Sequence, residues 1–253
     1  MGTTIKSAMS ANETTSRVNE ACFFTPTTSF DSIYCIVGTD ALVHKGGAVV
    51  WYAFLMATHV IVGLGNPGDE YLSTRHNTGR MCVERLRDAK DFSEWKTEKK
   101  PPMHWAKGEL VGKKTVLVAP DTFMNNSGRA VAHYIKNKKD AGNCVVVYDD
   151  LDLPLGVIKI SHDRSSGGHN GVESVIKALK TRAFVRVRVG VSPKTAQGVA
   201  KKPSGEDRVL KFLLGKFKPE ELTVLKKVFQ RIDEVLECIV TRGYQQAMTD
   251  FNS

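Results

Sequence analysis

Two spacings of apolar residues recur along the chain, and their succession outlines its elements. His59 to Leu64 reads as a buried strand, running into Gly63-Leu64-Gly65-Asn66-Pro67-Gly68. From Gly79 to about Ala89 the spacing becomes helical, with Cys82, Val83, Leu86 and Ala89 on one face. Thr115–Ala119 predicts a short strand, and Asn126–Lys138 a helix with Val131, Tyr134 and Ile135 inward. Cys144–Tyr148 is continuously apolar, as expected of a strand covered on both faces. Val157–Ser161 predicts another strand, and Asn170–Lys180 a helix striped by Val172, Val175, Ile176 and Leu179. Phe184–Val191 alternates, which puts Val185, Val187 and Val189 on one face and Arg186 and Arg188 on the other. A loop over Val191–Arg208 and a short helix to Leu214 lead into a long amphipathic helix, Pro219–Val240. Pro219 suits its first turn. Strands interleaved with helices predict a single-domain α/β protein, a three-layer sandwich whose mixed, mostly parallel sheet is flanked by helices.

The first 55 residues lack this periodicity. They are rich in Ser, Thr and Asn and predict a poorly structured N-terminal extension. Gly47–Gly65 is nearly all apolar, but Thr58 and His59 interrupt it, so a membrane span is not expected. Met56 reads as a natural start for the folded part, with the upstream residues as an alternative extension. The domain is expected over 56–245 and a tail over 246–253. The extension holds one arginine and four acids, a poor composition for a mitochondrial transit peptide.

Charge adds a partner class. The formal net charge is +9, and the residues after Met56 carry 33 basic and 23 acidic side chains. A basic core favours a polyanion, nucleic acid ahead of an anionic membrane. Five cysteines without a C-x-x-C pair suggest neither disulfides nor a zinc site, and fit a reducing compartment.

Three chemistries compete for the polar residues at the strand ends. Gly63-x-Gly65-x-x-Gly68 has dinucleotide-binding spacing, but a polar turn with Pro67 and Tyr71 follows where a helix should open. His162, His169, Asp149 and Asp152 could suggest a metal, but no helix spaces two of them on one face. Metal-free hydrolysis fits better. His76 has a side chain that titrates near neutral pH, and Asp149 at the end of its strand could hold the ring in the useful tautomer. Asn66, Asn125 and Asn170 sit where strands meet loops or helices, and no serine or cysteine stands out as a nucleophile.

Several segments together resemble the bacterial-type peptidyl-tRNA hydrolase family. They are Val60–Gly68 with Tyr71 and Arg75-His76-Asn77; Thr122-Phe123-Met124-Asn125 with Ser127-Gly128; Asp149–Pro154 with Gly156; and Gly167-Gly168-His169-Asn170-Gly171. Arg186-x-Arg188-x-Gly190 and Leu213–Phe217 continue the match, in order, over roughly residues 58–240. The resemblance implies an esterase that frees tRNA from a peptide, of cytosolic type, with a mitochondrial location as the alternative. It implies a monomer with no stable protein partner, no membrane and no cofactor. His76 is then the general base and Asp149 its partner; Asn170 places water or donates to the oxyanion. Asn66 and Asn125 hold peptide and ester, Tyr71 and Met124 shape the cleft, and Gly167 lines it. Lys159, Arg186 and Arg188 would grip tRNA phosphates. Tyr148 and Ser161 depart from the family's more usual histidine and lysine. The alternative is a non-catalytic RNA-binding relative of the same fold.

Overall fold

The computed structural model describes residues 34–37, 40–45, 48–51 and 58–252. The chain divides into two units, Met1–Met56 and Ala57–Ser253. In the first, β1 (Tyr34–Val37), β2 (Asp40–Lys45) and β3 (Ala48–Trp51) form an antiparallel sheet in that order. Part of the segment expected to lack regular structure therefore has it; the rest of residues 1–55 lies outside the described residues. Among the described residues no helix is long and apolar enough to cross a membrane.

The second unit carries the predicted sandwich. Its elements are β4 (His59–Gly63), α1 (Thr78–Ala89), β5 (Lys96–Lys99), β6 (Pro102–Leu110), β7 (Lys113–Pro120), α2 (Gly128–Tyr134), β8 (Cys144–Pro154), β9 (Ile158–His162), α3 (Asn170–Leu179), β10 (Val185–Ser192), α4 (Glu206–Leu213), α5 (Pro219–Arg242) and α6 (Tyr244–Phe251). The sheet order is β5-β6-β7-β4-β8-β10-β9. Pairing is parallel across β7, β4, β8 and β10, and antiparallel at both flanks.

Alternation along the central strands divides the core in two. Ile61, Leu117, Val145, Val147 and Val185–Val191 at odd positions face α1, α5 and α6. Val60, Val62, Val118, Val146 and Tyr148 face α2 and α3. The chain runs from β4 to β7 on one side, then crosses to β8 on the other. The C-terminal ends of β4 and β8 therefore flank a topological switch point, where open α/β sheets leave a crevice.

Gly79 brings α1 unusually close to these strands. A Cβ there would lie 2.1 Å from the Val147 carbonyl oxygen and 2.7 Å from the Leu64 nitrogen. No side chain fits, so the turn carrying His76 is pressed onto β8. Overpacking of this kind costs about 1–3 kcal/mol, and about 2–4 °C per kcal/mol in a domain this size. Gly79→Ala is expected to lower Tm by roughly 3–10 °C by these relations and to cut activity. Thermal unfolding checks it, and an unchanged Tm with full activity would argue against the close approach.

Several elements differ from expectation. The helix predicted to Lys138 ends at Tyr134, because Asn137 Oδ1 accepts from the Asp140 amide (3.0 Å) and turns the chain. The central strand β8 continues past Tyr148 to Pro154 along β10. Strands β5 and β6 were not anticipated. In β6 the buried positions are Met103, Ala106 and Leu110, at helical spacing, because opposite ends of the strand pack on opposite layers. The predicted tail is α6, whose Tyr244, Ala247, Met248 and Phe251 pack against the α5 side. Beyond it, Asn252 donates to the Ile160 carbonyl (2.9 Å) and accepts from the Ile160 amide (2.7 Å). Its side chain thus pairs with the outer edge of β9.

Candidate active site

His76 sits in a 3-10 turn, Arg75–Asn77, directly ahead of α1. All three residues are buried. Asn77 clasps the loop after β4: its Oδ1 accepts from the Asn66 amide (2.8 Å) and its Nδ2 donates to the Asn66 carbonyl (2.9 Å). Nothing in the local motif gives Asn77 a role, yet it locks the His76 turn to Asn66.

The His76 Nδ1 lies 3.0 and 3.1 Å from the two Asp149 oxygens. Asp149 is 2% exposed. Burial alone would raise its pKa, but the two imidazoles beside it, His76 and His169, hold it well below the usual carboxylate range. An ionised carboxylate only accepts, so Nδ1 carries the proton and Nε2 keeps its lone pair. Burial pulls the His76 pKa down, while the charge and hydrogen bond of Asp149 outweigh it and raise the value above 6.5.

In the sequence, His169 suggests only a metal ligand. Its Nε2 lies 3.1 Å from Asp149 Oδ1, and its Nδ1 accepts from the amides of Gly171 (3.1 Å) and Val172 (3.2 Å). It therefore caps α3 and braces Asp149 with the same ring. The two backbone donors fix the tautomer: Nδ1 is bare and Nε2–H donates to Asp149. His76, Asp149 and His169 do cluster. A cation at His169 Nε2 would require the opposite tautomer, with Nδ1–H facing two N–H groups. The donor set does not fit a metal; His162 and Asp152 are not part of the cluster.

The amides divide by exposure. Asn66 is buried, and its Oδ1 accepts from the Met124 amide (2.9 Å), which leaves Nδ2 as the free donor. Met124 is buried, with its sulfur against Gly171, and Asn125 is exposed in the next position of the same turn. Asn170 is the exposed first residue of α3, adjacent in sequence to His169. Tyr71 is half-buried, its carbonyl accepting from Thr74. Gly167 is exposed with φ 60°.

The basic residues are the main correction. Arg186 is 0% exposed; it donates to the Arg164 carbonyl and to Ser165 O (2.9 Å), with its guanidinium over Phe184. It anchors the loop before Gly167 and cannot reach a phosphate. Arg188 is half-buried and ion-paired with Asp150 at 2.6 Å. Its pKa stays raised through that hydrogen bond despite burial. Of the three, Lys159 is the exposed one, on β9 opposite Arg188. Alternation put both arginines on one face correctly, but not their carbonyl and carboxylate partners.

Among the described residues, no Ser, Thr or Cys side chain hydrogen-bonds to His76. A buried imidazole held by a buried carboxylate beside a sheet's switch point is the arrangement of a hydrolytic enzyme's site. The chain belongs to the peptidyl-tRNA hydrolase family, whose sequence profile matches residues 60–253. It is 43% identical over 195 residues to the peptidyl-tRNA hydrolase of Thermotoga maritima, covering 77% of this chain and 97% of the relative. A Synechococcus peptidyl-tRNA hydrolase is 39% identical over 202 residues, covering 78% and 84%. The crystal structure of the Acinetobacter baumannii enzyme superposes with a TM-score of 0.69 at 30% identity, covering 78% of this chain and 96% of that one.

Proposed function

We propose that the chain hydrolyses the ester joining an N-blocked peptide to the 3′ ribose of tRNA, with His76 as the base that activates water. The single observation behind this reading is the buried Asp149–His76 pair with Nε2 left bare. Water attacks the ester carbonyl carbon while His76 Nε2 takes its proton. The carbonyl oxygen becomes an oxyanion, for which Asn66 Nδ2 and the Asn170 amide are the donors at hand. A neutral amide steadies such charge without titrating, and losing one donor typically costs about 100- to 1000-fold in rate. On collapse the imidazolium returns the proton to the departing 3′ oxygen, giving free tRNA and a peptide carboxylic acid. Asp149 stays ionised throughout and stabilises the imidazolium. Tyr71, Met124, Asn125 and Gly167 border the peptide side of the cleft in this reading. No metal or cofactor takes part, which full activity in chelator would support. The test is release of the N-acetylated amino acid from tRNA by the purified chain; intact ester after prolonged incubation would refute the proposal.

The pH profile follows from the sign of the His76 shift. The base works only when neutral, so kcat/KM falls as pH drops through the His76 pKa. That pKa is raised, so the acid limb should be centred above pH 6.5. A limb centred below 6.5 would show that Asp149 does not outweigh burial at His76.

The tRNA is held through its phosphates and shape, with little sequence preference. Lys159→Ala should make log Kd about one unit less steep against log salt, the contribution of one phosphate contact. Arg186→Ala should instead lower Tm, by emptying the site that anchors residues 164–165. Binding of deacylated tRNA between 50 and 200 mM salt, on the order of the range over which such contacts weaken, separates the two. A Lys159 variant with the wild-type slope would refute that contact. A monomer of cytosolic type is the state this reading expects.

A further inference from the structure

Arg75 has no part in the chemistry above, yet it is among the most heavily bonded side chains near His76. Its residue is 8% exposed. Nη2 donates to both oxygens of Glu221 (3.1 and 2.9 Å), and Nη1 to the carbonyls of Gly215 and Lys216 (3.2 Å each). The guanidinium carbon lies 4.4 Å from the Phe212 ring centroid and 5.2 Å from that of Phe217. Its backbone adds a bond to Gly215 O (3.1 Å), and Phe217 N donates to Ser73 O (3.0 Å).

These contacts join two structures of different firmness. Glu221 also accepts from Lys218 N (2.7 Å) and so closes the first turn of α5, a 24-residue helix deeply packed in the core. Phe212 belongs to α4, which contributes no buried residue. Arg75 stands between them, one residue from the base.

A buried ion pair adds little net stability over an apolar pair of the same shape. What a planar guanidinium adds is direction, because its donors leave in a fixed fork. Here one arm of the fork meets a carboxylate and the other two carbonyls. The 3-10 turn is thereby clamped at Arg75 as well as at Asn77.

We propose that Arg75 is a positioning residue for His76: it ties the catalytic turn to the α4–α5 junction, so that the seating of Phe212 and α4 sets the aim of Nε2. The inference rests on His76 being the base. Its primary readout is independent of turnover, the titration of the His76 ring by NMR without substrate. The groups facing that ring are Asp149 from β8 and His169 from the start of α3 (ring centroids 4.9 Å apart), and Arg75 is its neighbour in the same turn.

Arg75→Met should loosen the ring from Asp149 and lower the His76 pKa. Simple removal of a nearby positive charge would raise it, so the direction separates positioning from bare electrostatics. With N-acetylated aminoacyl-tRNA, kcat should fall about 10- to 100-fold with KM little changed, the scale of a small misalignment of a catalytic group. Arg75→Lys should recover only part, and Phe212→Leu should shift kcat and the titration in the same direction. If Arg75→Met does not fold, Glu221→Gln carries the test, with a smaller lowering of the His76 pKa and of kcat. An unchanged or raised His76 pKa in a folded Arg75 or Glu221 variant would overturn the proposal. A wild-type chain that leaves the ester intact would instead overturn the assigned activity.

Discussion

Replacing His76 with alanine is expected to lower kcat by about 100- to 10,000-fold, the usual contribution of a positioned general base, with KM nearly unchanged. Asp149 keeps its hydrogen bond to His169, so the folded state should persist. Two features make the effect large. The Nε2 lone pair is the only one that the tautomer leaves free, because Nδ1 is committed to Asp149. No hydroxyl or thiol among the described residues hydrogen-bonds to His76, so no side-chain nucleophile takes the place of water. The measurement is a steady-state time course with N-acetylated aminoacyl-tRNA, alongside circular dichroism to verify folding. Retention of more than about a tenth of wild-type kcat would rule out the assigned base. Added imidazole restoring part of the rate would locate the defect at the lost ring.

Asp149→Asn should be nearly as damaging by a different route. The carboxylate accepts from both His76 and His169, and His76 lies almost equally near its two oxygens. An amide has one oxygen, and its NH₂ would face one of those nitrogens. His169 is locked by two backbone donors, so it keeps the oxygen. His76 then meets the NH₂ group, exchanges tautomers, and turns a protonated Nε2 toward the water. In a triad with the same logic, this substitution costs about 10,000-fold. A loss of about 1,000-fold or more is expected here on that precedent. The residual activity should also change its pH response. The negative charge that raised the His76 pKa is gone while burial remains, so the acid limb should move to lower pH. A variant with lower kcat but an unmoved limb would show that Asp149 does not set the His76 titration.

Much of this site could be read in the sequence, for identifiable reasons. Asn66 and His76 come after β4 and Asp149 ends the apolar run of β8, and those continuous apolar runs mark both strands as central. Asn77 and His169 escaped assignment because their roles depend on contacts between distant segments: one side chain bonded to a backbone eleven residues earlier, and one ring shared between a helix start and a carboxylate. Arg186 shows the opposite failure. Alternation identified its face correctly, but nothing local reveals that the loop over residues 164–165 folds back to bury it. The strand β6 was hidden because its buried residues serve two layers at once. Helix α6 carried a clear signal, apolar residues at 244, 247, 248 and 251, in a stretch short enough to pass for a tail.

The hydrogen bonds between Asn252 and Ile160 have a further consequence. Strand β9 has β10 on one side only, and an open strand edge invites another chain to add to it. The Asn252 amide occupies one N–H and one C=O of that edge as a neighbouring strand would. The Asn252 amide thus stands in for one rung of a missing strand, and replacing that residue with alanine would leave the Ile160 N–H and C=O to find water.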